Sequence, residues 1–202
     1  MTDPATITRA QLVSRATKGG LALVAGGTLL AATAGTARGT SGVRASTATD
    51  TDIAKLAATA ELLAIDFYTR AIRVRKLVGE EREYLIDARD SEEAHYNALA
   101  QVLGSAAPKD LAFTFPAGAF RSRKSIAKLG VALETAFVGA YLGAVTALES
   151  NDLKGVAAQI GASEASHLSV FSDIASDDPV IPAFPKSLTA EQATAAVTPF
   201  LA

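Results

Sequence analysis

The chain has no cysteine and no tryptophan, one methionine, and only two histidines among 202 residues. Without cysteine there can be no disulfide, thiolate metal site, iron–sulfur cluster or cysteine nucleophile. Histidine, aspartate and glutamate are left as the usual metal-binding side chains. The formal net charge of −2 supplies no general basic field, so nucleic acid is not expected as a partner. Aromatics are scarce, at 6%, within a 49% hydrophobic content rich in alanine and leucine. That balance favours helices. The length suits one domain with extensions.

Charge is also missing from residues 19–37, GGLALVAGGTLLAATAGTA, which follow Arg9, Arg15 and Lys18 and precede Arg38. A positive start, an apolar stretch and small residues such as Ala32-Thr33-Ala34 form the pattern of an export signal over residues 1–37. Left uncut, residues 19–37 would be a membrane anchor. SRATKGGLAL has one arginine where a twin-arginine signal has two, which leaves the route of export open. The expected location is outside the cytoplasm, in a periplasm or at the cell surface, or held at the membrane by residues 19–37. Residues 38–51, rich in Gly, Ser and Thr, read as a flexible linker.

Apolar side chains then recur at helical spacing over residues 52–78, 80–103, 122–150 and 152–175, with Gly79 and Gly104 as stops. Short breaks inside each pair favour antiparallel hairpins. The middle break, 105–121, contains Pro108 and Pro116, and its Leu111, Phe113 and Phe115 alternate with smaller residues. It reads as an extended segment long enough to run the length of a bundle. The expected fold is all-α: a four-helix bundle over 52–176, made of two hairpins joined by a long crossover. A proline-rich tail, 177–202, ends in a short helix with Thr189 and Gln192 as a capping box.

The inner stripes carry polar residues where a core should be. Alternating three–four spacing places Leu85, Ala88, Glu92, His95, Leu99 and Val102 on the second helix, and Ala157, Ile160, Glu164, His167, Phe171 and Ile174 on the fourth. Each histidine thus follows a glutamate by one turn. The first helix offers Glu61 and Tyr68 among alanines; the third offers Glu134, Phe137 and Tyr141. The hairpins match: 31 residues separate Glu61 from Glu92, and 30 separate Glu134 from Glu164. A tyrosine lies seven residues after the first glutamate of each hairpin, at Tyr68 and Tyr141.

Taken singly, a glutamate on such a stripe is more often half-exposed or paired with arginine, and a histidine more often a hydrogen-bonded core residue. Six at matched heights are different. Each unpaired buried carboxylate costs several kcal/mol, and four together repel. Two divalent cations would balance four glutamates, and two neutral imidazoles would complete the coordination. Oxygen and nitrogen donors suit iron or manganese, so two Fe or Mn ions are expected. One Glu from each of two helices and Glu-x-x-His from each of the others is the ligand set of di-iron and di-manganese bundles. Tyr68 and Tyr141 are either packing residues with one hydrogen bond, or donors and redox-active groups beside the metals.

LETAFVGAYLGA at 133–144, QIGASEASHLSVF at 159–171 and FTFPAGAF at 113–120 resemble the ferritin-like superfamily, in particular exported bacterial ferritin-like domain proteins related to plant desiccation-associated proteins. The resemblance covers about residues 52–200. It implies terminal ligation by Glu61 and Glu134, bridging by Glu92 and Glu164, and one metal each for His95 and His167. Ferritin-like folds host several activities, so the resemblance selects none by itself; the complete ligand set points to a di-metal oxidoreductase with oxygen or peroxide as reactant, oxidising ferrous iron (a ferroxidase) or consuming peroxide as a manganese catalase does. The alternative it leaves open is a non-enzymatic stress or desiccation-type protein whose metals stabilise the bundle. A homodimer is a further expectation.

Overall fold

The computed structural model describes residues 48–176 and 178–202, and helices dominate the first stretch. The expected export signal, 1–37, and the linker up to residue 47 lie outside the described residues. Four long helices follow one another: α1 (Ala48–Val74), α2 (Glu80–Leu103), α3 (Arg123–Ala147) and α4 (Asn151–Ser176). A short α5 (Ala190–Val197) comes from the tail. The pairs α1/α2 and α3/α4 pack side by side as hairpins.

The helix ends differ from the periodicity for identifiable reasons. Residues 48–51, expected as linker, are helical, because Asp50 is buried and its carboxylate has work to do. It accepts from the backbone N–H of Glu149 at 2.8 Å and of Ser150 at 3.0 Å, in the turn between α3 and α4. The start of α1 is thereby tied to the tip of the second hairpin. The other end of α1 stops at Val74 rather than 78, since Arg75 takes a φ of 53° and turns the chain. Leu77 then folds back into the core with 1% exposure. α3 starts from a capping box of Ser122 and Ser125, which satisfies two backbone donors that the first turn would leave open.

The crossover does run the length of the bundle. Arg123, at the start of α3, pairs with Glu81 at the start of α2 at 2.6 Å, and its guanidinium also donates to Ile174 O near the end of α4. Tyr96 donates to Pro108 O at 2.8 Å, and Arg70 to Phe113 O at 2.9 Å, along the way. The expected inward alternation holds only in part. Phe113 is buried and Phe115 packs on the core, but Leu111 is 39% exposed. The segment has a partner that periodicity does not show. Thr114 N donates to Phe200 O at 2.7 Å and Ala202 N to Ala112 O at 3.0 Å, so the C-terminus closes over the crossover.

The tail is strapped to α3. Leu188 N donates to Gly139 O at 2.8 Å. A Cβ on Gly143 would stand 1.7 Å from Leu188 O, so only a glycine lets this backbone approach. α5 follows, its first turn closed by the Thr189–Gln192 capping box, and packs on α3 and α1. Among the described residues, α3 is the one helix long and apolar enough to cross a membrane by length and composition. Its place in the bundle accounts for that, since one face is core and Glu134 is buried on it.

Candidate metal centre

All six stripe residues point inward and meet. Glu92, Glu134 and Glu164 are 0% exposed, His167 1%, Glu61 2% and His95 8%. Leu85, Ala88, Leu99, Ile160, Phe171 and Ile174 are buried on the same faces, while Val102 is exposed where α2 runs out past the core. The four helices run unbroken through this region. The polar side chains are held in place by that backbone rather than by local loops.

The carboxylates surround the imidazoles. His95 Nδ1 lies 3.0 Å from Glu92 Oε2, and 3.3 Å from both Glu61 Oε2 and Glu164 Oε1. One donor atom from each of Glu61, Glu92, His95 and Glu164 falls within 4.8 Å of all the others, close enough to share one cation. Glu92 extends its other oxygen, Oε1, to within 3.4 Å of His167 Nε2. It thus faces a histidine on either side, as a bridging carboxylate would. Burial raises the Glu134 carboxyl, and the charge of Glu164 raises it further. Glu134 and His167 complete the second half of the cluster but stand outside the tight group of four.

The tyrosines are hydrogen-bond donors to carboxylates of the cluster. Tyr68 on α1 donates to Glu134 Oε1 on α3 at 2.6 Å, and Tyr141 on α3 donates to Glu61 Oε1 on α1. Burial, and then the charges of the neighbouring carboxylates, push both phenols well above their usual range, so both keep their protons. A third tyrosine was not foreseen. Tyr84, on α2, is buried and its hydroxyl lies 2.6 Å from His167 Nδ1. It sits four residues before Ala88 and eight before Glu92, on the same face of α2. That spacing was the available signal. Leu85, also buried, occupied the stripe position beside it. Ser163 Oγ approaches His167 Nε2 at 3.4 Å.

Burial and crowding set the charge states. Burial, then the charge of Glu92, pushes the Glu164 carboxyl up to about 8. Burial also raises Glu92 and Glu134 well above the ordinary carboxylate range. Burial, then the charge of His95, lowers His167 to about 3, which keeps it neutral. Burial works to lower His95 as well, but the nearby carboxylates of Glu164, Glu61 and Glu92 outweigh it and hold that imidazole above its usual value.

Five buried oxygens have no hydrogen-bond partner: Glu61 Oε2, Glu92 Oε1, Glu134 Oε2 and both oxygens of Glu164. Orphaned buried carboxylate oxygens are costly. Their donor type, together with an imidazole nitrogen from each histidine, fits hard or borderline divalent cations. The cluster is a site that could hold metal, built from one carboxylate helix and one Glu-x-x-His helix in each hairpin.

A family model described as a ferritin-like domain matches residues 49–177. No curated protein matches the chain. The match spans α1 to α4 and contains all six inward-facing residues, and the chain belongs to the ferritin-like domain family.

Proposed function

We propose that the Glu/His cluster binds two ions of iron or manganese and reacts with oxygen or peroxide, with ferrous iron as one reductant. The observation that carries this reading is the set of five unpartnered carboxylate oxygens, all on Glu61, Glu92, Glu134 and Glu164. Protons alone satisfy such a set poorly, whereas two divalent cations would satisfy every oxygen and balance four charges. When bound, a pair of such ions supplies electrons to, and shares the charge of, a small oxygen species. The chain's own part is to fix the donors on rigid helices, keep water out, and hold protons on Tyr68 and Tyr141 beside the terminal carboxylates. Anaerobic loading with ferrous iron, metal analysis, then addition of oxygen or peroxide tests the reading. The expected result is two ions per chain and consumption of the oxidant; a chain that retains no metal overturns it.

The complete burial of Glu92, Glu134 and Glu164 favours a second reading, in which the ions staple the bundle and no turnover occurs. Ions bound only to the folded state stabilise it by mass action. A large loss of melting temperature in chelator, with no oxygen or peroxide consumption, selects this reading. The charge pattern of residues 1–37 extends either proposal to a protein that works outside the cytoplasm or at its membrane. Cell fractionation of the full chain checks that part.

A further inference from the structure

The two histidines occupy matching places in the two hairpins, yet they turn different ring nitrogens to the carboxylates. His95 presents Nδ1, against Glu61, Glu92 and Glu164. His167 presents Nε2, against Glu92 Oε1. Both follow a glutamate by three residues on a helix, so backbone spacing does not explain the difference. Tyr84 does. Its hydroxyl takes His167 Nδ1 at 2.6 Å, and its ring packs at 5.9 Å from the imidazole and 6.4 Å from Phe171. The position equivalent to Tyr84 in the other hairpin, at the same offset that relates His95 to His167, is Val156. Valine has no group to hold a ring nitrogen. The repeat is broken at this pair.

We propose that Tyr84 is a positioning residue that commits His167 to binding a cation through Nε2 while His95 binds through Nδ1, so that the two cation positions are chemically unequal and fill in order. This rests on the two-metal reading above. The position at His95 fills first, because four donors from Glu61, Glu92, His95 and Glu164 already converge there. The position at His167 fills second, because its donors are less closely gathered and its Nε2 also faces Ser163 at 3.4 Å. With Nε2 on a cation, Nδ1 carries hydrogen and donates to Tyr84. Tyr68 donates to Glu134, and its ring lies edge-on 6.0 Å from the His167 imidazole. His167 and Glu134, the two donors peculiar to the second position, thus each have a phenolic hydroxyl against them. A ring nitrogen held in this way fixes both the tautomer and the aim of the other.

Having only two histidines makes the test direct. Long-range proton–nitrogen NMR on histidine-labelled protein reports which ring nitrogen carries hydrogen or metal. It is recorded on the metal-free protein and during titration with zinc, a diamagnetic probe. The expected metal-free spectrum shows His167 as the Nδ1–H tautomer. Zinc is expected to shift His95 Nδ1 in the first step and His167 Nε2 in the second. In Tyr84→Phe the His167 tautomer preference should be lost and the second binding step should weaken roughly 10–100-fold, with the first step unchanged. A structural defect would weaken both steps. The proposal is overturned if both histidines bind through the same nitrogen, or if Tyr84→Phe leaves the His167 signals as they were. Failure to bind zinc or manganese at all defeats the two-metal reading instead, and the metal-free tautomer of His167 then still decides whether Tyr84 holds its ring.

Discussion

Tyr68 on α1 donates its hydroxyl to Glu134 on α3 at 2.6 Å, and the pair is fully enclosed by the bundle. Tyr141 returns the bond from α3 to Glu61 on α1. Each tyrosine stands two turns from the glutamate of its own helix and satisfies the glutamate of the opposite one. The crossed pair ties the two hairpins together at the level of the cluster. Removing one phenolic hydroxyl adds another orphaned oxygen to five that already exist. Tyr68→Phe and Tyr141→Phe should each lower the stability of the metal-free protein by roughly 1–3 kcal/mol. Urea denaturation in chelator measures this. An unchanged midpoint in both variants would mean that the bonds carry no net stability.

Stability of the metal-free protein should fall as pH rises above neutrality. Glu164, raised from 4.5 to about 8, binds a proton in the folded state that the unfolded chain has released. Its contribution is complete below about 4.5 and is lost as pH rises towards 8. Glu92 and Glu134 are raised and act in the same sense. So does His95, whose contribution is present below 6.5 and lost as pH rises through its higher folded value. His167, lowered from 6.5 to about 3, opposes them only between those two values, where the unfolded chain holds the extra proton. Above 6.5 nothing offsets the carboxyls, and the slope should be roughly −1 to −2 kcal/mol per pH unit. Bound metal displaces these protons, so the loaded protein should show a flat or rising profile over the same range. A metal-free protein that gains stability from neutral to alkaline pH contradicts the assignment.

The inward burial of the six Glu and His residues was legible in the sequence because α-helical spacing is rigid. Once Glu92 and His95 share a stripe with Leu85 and Leu99, burial of the apolar residues carries the polar ones inward. Tyr84 was not legible, because an inner face is wider than one stripe, and Leu85 fills the adjacent slot. Asp50 read as linker because its burial depends on backbone donors at Glu149 and Ser150, about a hundred residues away. By propensity alone, Gly139 and Gly143 would weaken a helix, where glycine costs about 1 kcal/mol. Their use appears only when Leu188 lies across them. What the sequence hid were contacts between distant segments, which no local period records.

Gly143→Ala should release the tail while the bundle stays folded. The added methyl would meet the Leu188 carbonyl, which is backbone and cannot rotate away. Overpacking of this kind costs roughly 1–3 kcal/mol. Moving the strap relieves it. Limited proteolysis should cut the variant between Pro185 and Ala190 faster than the parent, with α1 to α4 recovered as a resistant core. Equal cutting rates would show that the strap does not depend on this close approach.

Glu164→Gln should separate folding from metal binding. Both Glu164 oxygens are buried without a partner, and the residue lies between His95 and the Glu134 side of the cluster. In the metal-free protein at a pH above about 8, where the Glu164 carboxyl is charged, an amide removes one charge from a crowded group and offers N–H donors to neighbouring carboxylates. Neutralising such a buried charge is expected to stabilise by roughly 1–3 kcal/mol. With metal the sign reverses. The parent should gain about 2.7 kcal/mol for each ion present at a hundred times its dissociation constant. The variant, lacking that charge, should gain little. Melting with and without chelator therefore gives curves that cross: the variant higher without metal, the parent higher with it. Glu149→Gln, at an exposed position on the turn between α3 and α4, is the control and should move neither curve. If Glu164→Gln is less stable in chelator than the parent, the carboxylate is satisfied within the protein and the case for cations at its oxygens fails.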